Sequence, residues 1–290
     1  MKHYLELIKI NISILVIVTC YIGYYLGLRY EGLKMVEYQS WMTFLYLILG
    51  TFLSSSGASI LNQYIEVEYD QKMDRTKSRP LPTKKINLKT ALILGVMFSL
   101  IGPMILFTQI NLLTSLISLL TIFIYICIYT PLKRYSSFNT IVGAIPGALP
   151  PLGGWVAATN VINIHAIMLF GILFCWQIPH FLSLAIIYKE DYKRGGYKML
   201  PSITNNTNLI SFQILFFTMA LIYTSIGIFI LNLTSFVYVV GATILGLIFL
   251  IYSSSIVFDY SNKTIKRIFI FSIIYLPSLL ILIFIDSYFN

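Results

Sequence analysis

The sequence predicts an all-α membrane protein with nine transmembrane helices, and three observations lead there. Of its 290 residues 58% are hydrophobic and only 11% charged, whereas a water-soluble domain carries about 25% charged residues. Nine stretches are apolar over the roughly 20 residues that a helix needs to cross a bilayer. The cations are also sorted: with nine spans, eighteen of the twenty Lys and Arg residues fall in loops on the side of the N-terminus. The composition excludes a soluble globular domain. The net charge of +9 does not mark a nucleic-acid binder, because the cations sit in short loops between apolar spans.

In order, the expected spans are about 8–28, 41–64, 88–108, 111–131, 138–158, 164–188, 209–231, 235–257 and 267–287. The second and sixth are long enough to run past the membrane surface. The fifth contains GAIPGALPPLGGW, and its Gly and Pro residues predict a kinked or partly unwound helix or a re-entrant loop. Lys and Arg number 2, 7, 2, 4 and 3 in successive loops of the N-terminal side, against Arg29 and Lys34 alone on the other. By the positive-inside rule the N-terminus is cytoplasmic and the C-terminus outside. The opening residues show no cleavable signal or organelle transit pattern. Cys20, Cys127 and Cys175 lie in spans without metal-ligand spacing and read as small hydrophobes. The whole of 1–290 reads as one domain.

Three segments carry chemistry. In 62–82, NQYIEVEYDQKMDRTKSRPLP, Asn62, Glu66, Asp70 and Asp74 recur every four residues and share one helix face. Stacked carboxylates need a cation between them. Glu66 and Asp70 can grip one Mg²⁺, which favours one or two carboxylates plus phosphate oxygens. Asp74 can serve a second ion or pair with a neighbouring cation. Arg75 and Arg79 offer forked donors for phosphate. In 129–139, Lys133 and Arg134 lie on the same side, either to neutralise phosphate further or to anchor the loop. In 176–201, Glu190 and Asp191 precede Lys193, Arg194 and Lys198, repeating the pattern of acids at a helix end followed by cations. His180, inside the sixth span, can ligate haem iron, handle a proton or make an interhelical hydrogen bond. Together the segments point to a diphosphate site at a membrane surface.

The order NxxxExxxDxxMxRTxxRPLP, YTxLKR, GAxP…GW, WQxPHFxxLAxxYxxDY and GGxxMLP resembles the protohaem IX farnesyltransferase (haem O synthase) branch of the UbiA-type intramembrane prenyltransferases, densely over about 40–205. The resemblance implies nine helices around a central cavity that opens laterally to lipid in a bacterial cell (inner) membrane. It implies farnesyl diphosphate and haem b as substrates and Mg²⁺ as cofactor, with a haem A synthase or terminal oxidase taking the product. Asn62, Glu66 and Asp70 would form the first metal-binding set, Arg75, Arg79 and Lys133 would hold diphosphate, and Asp191 would belong to a second acidic motif. Two departures stand out. Glu66 stands where many members have Asp, and Glu190 and Asp191 are adjacent, so they diverge by about 100° on a helix. The residues leave two other readings open: a prenyltransferase with a quinone-precursor or other aromatic acceptor, and a transporter of an anionic substrate.

Overall fold

The computed structural model describes residues 2–286. Among them nine helices are long and apolar enough to cross a membrane, making the chain an integral membrane protein. They are α1 (Ile10–Tyr30), α2 (Tyr38–Asp70), α3 (Leu88–Gln109), α4 (Leu112–Leu132), α5 (Asn139–Thr159), α6 (Ile164–Ile187), α7 (Thr207–Ile230), α8 (Phe236–Phe258) and α9 (Asn262–Asp286). Most ends fall within three residues of expectation. The exceptions are α2, which continues to Asp70, and α9, which begins at Asn262. The expected end of the last span at 287 lies outside the described residues. At 33 residues, α2 is about 50 Å long against a hydrocarbon core of about 30 Å. Its last turns, with the acid ladder, therefore rise out of the apolar layer.

Polar caps start five of the spans. Asn87, Asn111, Asn163, Asn206 and Ser235 each accept a backbone N–H from the first turn that follows. These satisfy donors that no lipid could. Helices α1 to α5 form a closed ring in which each packs on the next and α5 returns to α1. Helix α6 packs on α5, α7 and α9 pack on α6, and α8 packs on α7 and α9.

The α1–α5 crossing is made backbone to backbone. A Cβ on Gly154 would lie 1.9 Å from the Cys20 carbonyl oxygen, and one on Gly23 would lie 1.9 Å from that of Pro151. Small residues of this kind drive helix contact where lipid offers no hydrophobic force. The unwinding or re-entrant turn expected in the fifth span is absent, for α5 is helical throughout despite Pro146, Pro150 and Pro151. Each proline removes a donor and crowds the preceding turn, but α5 is the most buried of the nine spans, and its neighbours hold the helical path. The irregularity appears instead in α4, where Ile124–Tyr129 winds as a π-helix. Such a bulge shifts the register of the side chains that follow.

Candidate active site

One cavity of about 380 Å³ is lined by α1 to α6 and by the segments that follow α2 and α6. Its upper end is ionic and holds Lys9, Asn62, Glu66, Asp70, Arg75, Arg79 and Lys133. Below, α2 lends Ser59, Ser55, Thr51 and Leu47 to one wall, while Ile117 of α4, Gly147 of α5 and Phe181 of α6 line others. None of α7, α8 or α9 contributes a lining residue. From Glu66 to Leu47 is 19 residues along α2, so the cavity descends about 28 Å from its charged mouth.

The mouth is built from paired charges. Lys133 Nζ donates to Glu66 Oε1 at 2.7 Å and lies 4.5 Å above the Tyr129 ring and 5.6 Å from that of Tyr197. Burial works against the ammonium, but the Glu66 carboxylate and the surrounding phenols hold Lys133 well above the ordinary lysine value. One helical turn on, Arg79 Nη1 donates to Asp70 Oδ2 at 2.7 Å. The other oxygen, Asp70 Oδ1, is buried without a hydrogen-bond partner. An orphaned anionic oxygen beside Glu66 is a place for a cation, and two carboxylates facing an open cavity fit Mg²⁺ completed by phosphate oxygens. Among the described residues no cluster of three or more His, Cys, Asp or Glu forms a cage for a metal on its own. Arg75 Nη2 reaches the Tyr192 hydroxyl at 3.0 Å and overlies Tyr188 and Tyr192.

The sequence-predicted residues divide into two groups. Asn62, Glu66, Asp70, Arg75, Arg79 and Lys133 meet at the cavity mouth. Asp74, Glu190, Asp191, Lys193, Arg134, Lys198 and His180 do not line it. Asp191 accepts from the backbone N–H groups of Asp74 and Arg75 and from Arg194. Arg194 also pairs with Asp74, as does Lys77. Although burial opposes it, Arg194 and these N–H groups hold the Asp191 carboxyl below its usual value. Asp74, a candidate for a second ion, and Asp191 of the second acidic motif thus form an ionic latch with Arg194 between the 71–87 and 188–199 segments. Glu190 and Lys193 pair with each other at the surface. Arg134 donates to the Ile65 carbonyl and stacks on Tyr69. Lys198 contributes its backbone, bonded to the Lys133 carbonyl and the Asn139 amide, and its side chain is exposed. His180 faces α9, with Nδ1 2.8 Å from Ser272 Oγ and its ring stacked between Trp176 and Phe269.

Lys9 went unmarked in the sequence except as a loop cation. It adopts a left-handed backbone, φ 52° and ψ 55°, at the break between the short helix Lys2–Leu7 and α1. That conformation turns its side chain into the cavity, where Nζ donates to Asn62 Oδ1 at 2.9 Å. Burial first, and then the Arg79 guanidinium, lower it to about 7. Asn62 is fixed from the other side, with Nδ2 donating to Thr130 Oγ1, which donates to the Tyr125 carbonyl within the π-helix.

The UbiA prenyltransferase family profile matches residues 16–275. The protoheme IX farnesyltransferase of Solibacter usitatus (strain Ellin6076) is 38% identical, over 99% of each chain. That of Salinibacter ruber is 38% identical over 98% of each chain. Among solved structures, one of digeranylgeranylglyceryl phosphate synthase aligns with a TM-score of 0.81 at 19% identity, covering 99% of this chain and 98% of that one. A UbiA homolog from Archaeoglobus fulgidus bound to DMAPP and Mg²⁺ gives 0.63 at 16% identity, covering 97% and 99%. These likenesses to solved structures concern the fold, and the full-length relatives and the family match carry the assignment. The chain belongs to the UbiA prenyltransferase family.

Proposed function

We propose that the protein transfers the farnesyl group of farnesyl diphosphate to a vinyl group of haem b, with addition of water, releasing haem O and diphosphate. One observation supports this above the rest: paired carboxylates and four cations crowd one end of a cavity that is otherwise lined mainly by aliphatic, small, hydroxylic and aromatic side chains. The diphosphate would sit among Lys9, Arg75, Arg79 and Lys133, with its isoprenoid chain directed down the cavity. Glu66 and Asp70 would hold Mg²⁺, which when bound supplies positive charge to the diphosphate. Lys133 and Arg79 take up the charge that develops as the C1–O bond breaks. They are preorganised by pairing with Glu66 and Asp70, so little reorganisation remains for the reaction. The Tyr125 and Tyr129 rings, both in the cavity wall, offer π faces to the allylic cation. The latch of Asp74, Asp191 and Arg194 joins the two loops over the site and restricts water.

The charge asymmetry supports a cytoplasmic mouth, with the protein in a bacterial inner membrane and its C-terminus outside. A haem A synthase or a terminal oxidase would receive the product. Purified protein given farnesyl diphosphate, haem b and Mg²⁺ releases diphosphate and yields a farnesylated haem on chromatography. Diphosphate release that is independent of haem b, or a prenylated quinone precursor in its place, would overturn the choice of acceptor.

A further inference from the structure

The reaction just described needs a water molecule at one place only. The vinyl π pair bonds to farnesyl C1 as the C1–O pair leaves with diphosphate. A second cation then stands on the vinyl carbon next to the porphyrin ring. Water must attack that carbon; if instead a proton is lost, the product is an alkene. A hydrophobic cavity has no reason to present a water there unless some group holds it.

Gln177 is such a group. It lies near the middle of α6, 5% exposed, in the cavity wall. Both hydrogens of its amide nitrogen are spent, on the Leu173 carbonyl at 3.0 Å and the Ala144 carbonyl at 3.3 Å. Two carbonyl partners fix which end of the amide is which. Oε1 therefore points the other way, against Gly147, which is also a wall residue. It receives no hydrogen bond from any described residue and is not sealed from the cavity. A Cβ on Gly147 would sit 2.0 Å from Oε1, so glycine keeps that space clear.

Its depth also fits. Gln177 is ten residues from the Ile187 end of α6, and Asn62 is eight from the Asp70 end of α2, or about 15 Å and 12 Å below the mouth. Oε1 thus lies just past the ionic groups, where the diphosphate ends and the isoprenoid begins. Three of the hydroxyls deeper in the cavity are engaged elsewhere, Ser54 donating to Gly50, Ser118 to Ser54 and Thr121 to Ile117, and the unpartnered Thr114 hydroxyl lies at the far end, away from the reacting carbon.

We propose that Gln177 Oε1 holds and orients the water that hydrates the second cation, making Gln177 a positioning residue that sets which product forms. The proposal rests on the haem-farnesylating reading above. A carboxamide oxygen can only accept, so it takes an O–H of the water and leaves the water's lone pair directed into the cavity. The oxygen attacks the cation, the new C–O bond forms, and the surplus proton passes to the departing diphosphate, the base that the reaction itself releases.

The test is product partition in purified protein with farnesyl diphosphate, haem b and Mg²⁺, read by mass spectrometry of the extracted haem. The alkene is lighter than the hydrated product by one water. Gln177→Met removes the acceptor, and Gly147→Ala displaces it by steric contact while keeping the glutamine itself. Both variants raise the ratio of alkene to hydrated haem by about tenfold, the worth of one oriented hydrogen bond, while diphosphate release continues. Gln177→Glu, which keeps an acceptor oxygen, moves the ratio back toward wild type. An unchanged ratio in both Gln177→Met and Gly147→Ala would refute the proposal. So would loss of all diphosphate release in folded samples of both, because the proposal leaves C1–O cleavage untouched. Failure of the wild-type protein to prenylate haem would bring down the functional reading itself.

Discussion

Lys133→Met separates what the buried ion pair does for the fold from what it does for the reaction. The pair is 2.7 Å long, with the Lys133 and Glu66 side chains 13% and 4% exposed. Removing the ammonium leaves the Glu66 carboxylate in low dielectric without its hydrogen-bonded cation. Breaking one side of a buried pair costs about 3–5 kcal/mol, most of it the penalty of the stranded charge. Glu66→Gln strands Lys133 in the same way, though the Tyr129 and Tyr197 faces offset part of the loss, so its cost falls toward about 3 kcal/mol. The double variant strands nothing and costs no more than Lys133→Met alone, for a coupling of about 3 kcal/mol in a double-mutant cycle. Activity does not recover, because both groups have left the cavity mouth. Unfolding in detergent gives the first quantity and diphosphate release the second. A double variant as unstable as the sum of the singles would refute the reasoning, since the two charges would then not be compensating one another.

Asp70→Asn keeps an oxygen for Arg79 but neutralises the orphaned carboxylate; transfer falls about 10²–10³-fold with the fold intact, and near-normal turnover would contradict the role given to Asp70. Lys9, lowered to about 7, is about nine-tenths neutral at pH 8 in the empty protein, and a bound diphosphate restores its proton. Titration calorimetry in buffers of unlike ionisation heat then shows about 0.9 proton taken up in wild type that Lys9→Met lacks. Because its folded value lies below the unfolded 10.5, Lys9 also makes the empty protein gain stability as pH rises from 7 toward that value; a flat profile over this window would argue against the shift. Gly154→Ala forces a methyl to 1.9 Å from the Cys20 carbonyl, so α1 and α5 must part, with a loss of about 3 kcal/mol or more visible as a lower unfolding midpoint.

The spans were legible because hydropathy and charge sorting answer to the bilayer, which acts on every helix alike. The acid ladder was legible because spacing along one helix is a local property. What lay between helices was not. Asp74, Glu190 and Asp191 have the residue types of a metal motif, and only the approach of two loops shows that Arg194 and backbone N–H groups take up the Asp191 and Asp74 carboxylates. Lys9 looks like any cation before a span, and a left-handed residue that turns it inward has no sequence sign of its own. A polar side chain amid apolar residues was a usable signal for Gln177 in WQIPHF. His180 drew attention by the same rule, but a single sequence cannot say which side of α6 faces the cavity. The prolines of α5 suggested broken backbone, yet the break falls in α4, where no Gly or Pro marks residues 124–129.

The distribution of charge along the cavity bears on whether this is a transferase or a carrier. A carrier places its site near the bilayer midplane, at broken helices, so that either side can open to it. Here the ionic groups gather at one end, where α2 leaves the hydrocarbon layer. The far end narrows among Leu47, Leu106 and Thr114, which are 1%, 1% and 2% exposed. An anion held by Lys133 and Arg79 has nowhere charged to go below them. A neutral isoprenoid, by contrast, gains by burying its chain there, at about 25 cal/mol per Å² of apolar surface. The two halves of the cavity therefore demand one molecule that is ionic at its head and hydrocarbon in its tail, with the bond between those halves at the depth of Gly147 and Gln177, just past the ionic groups.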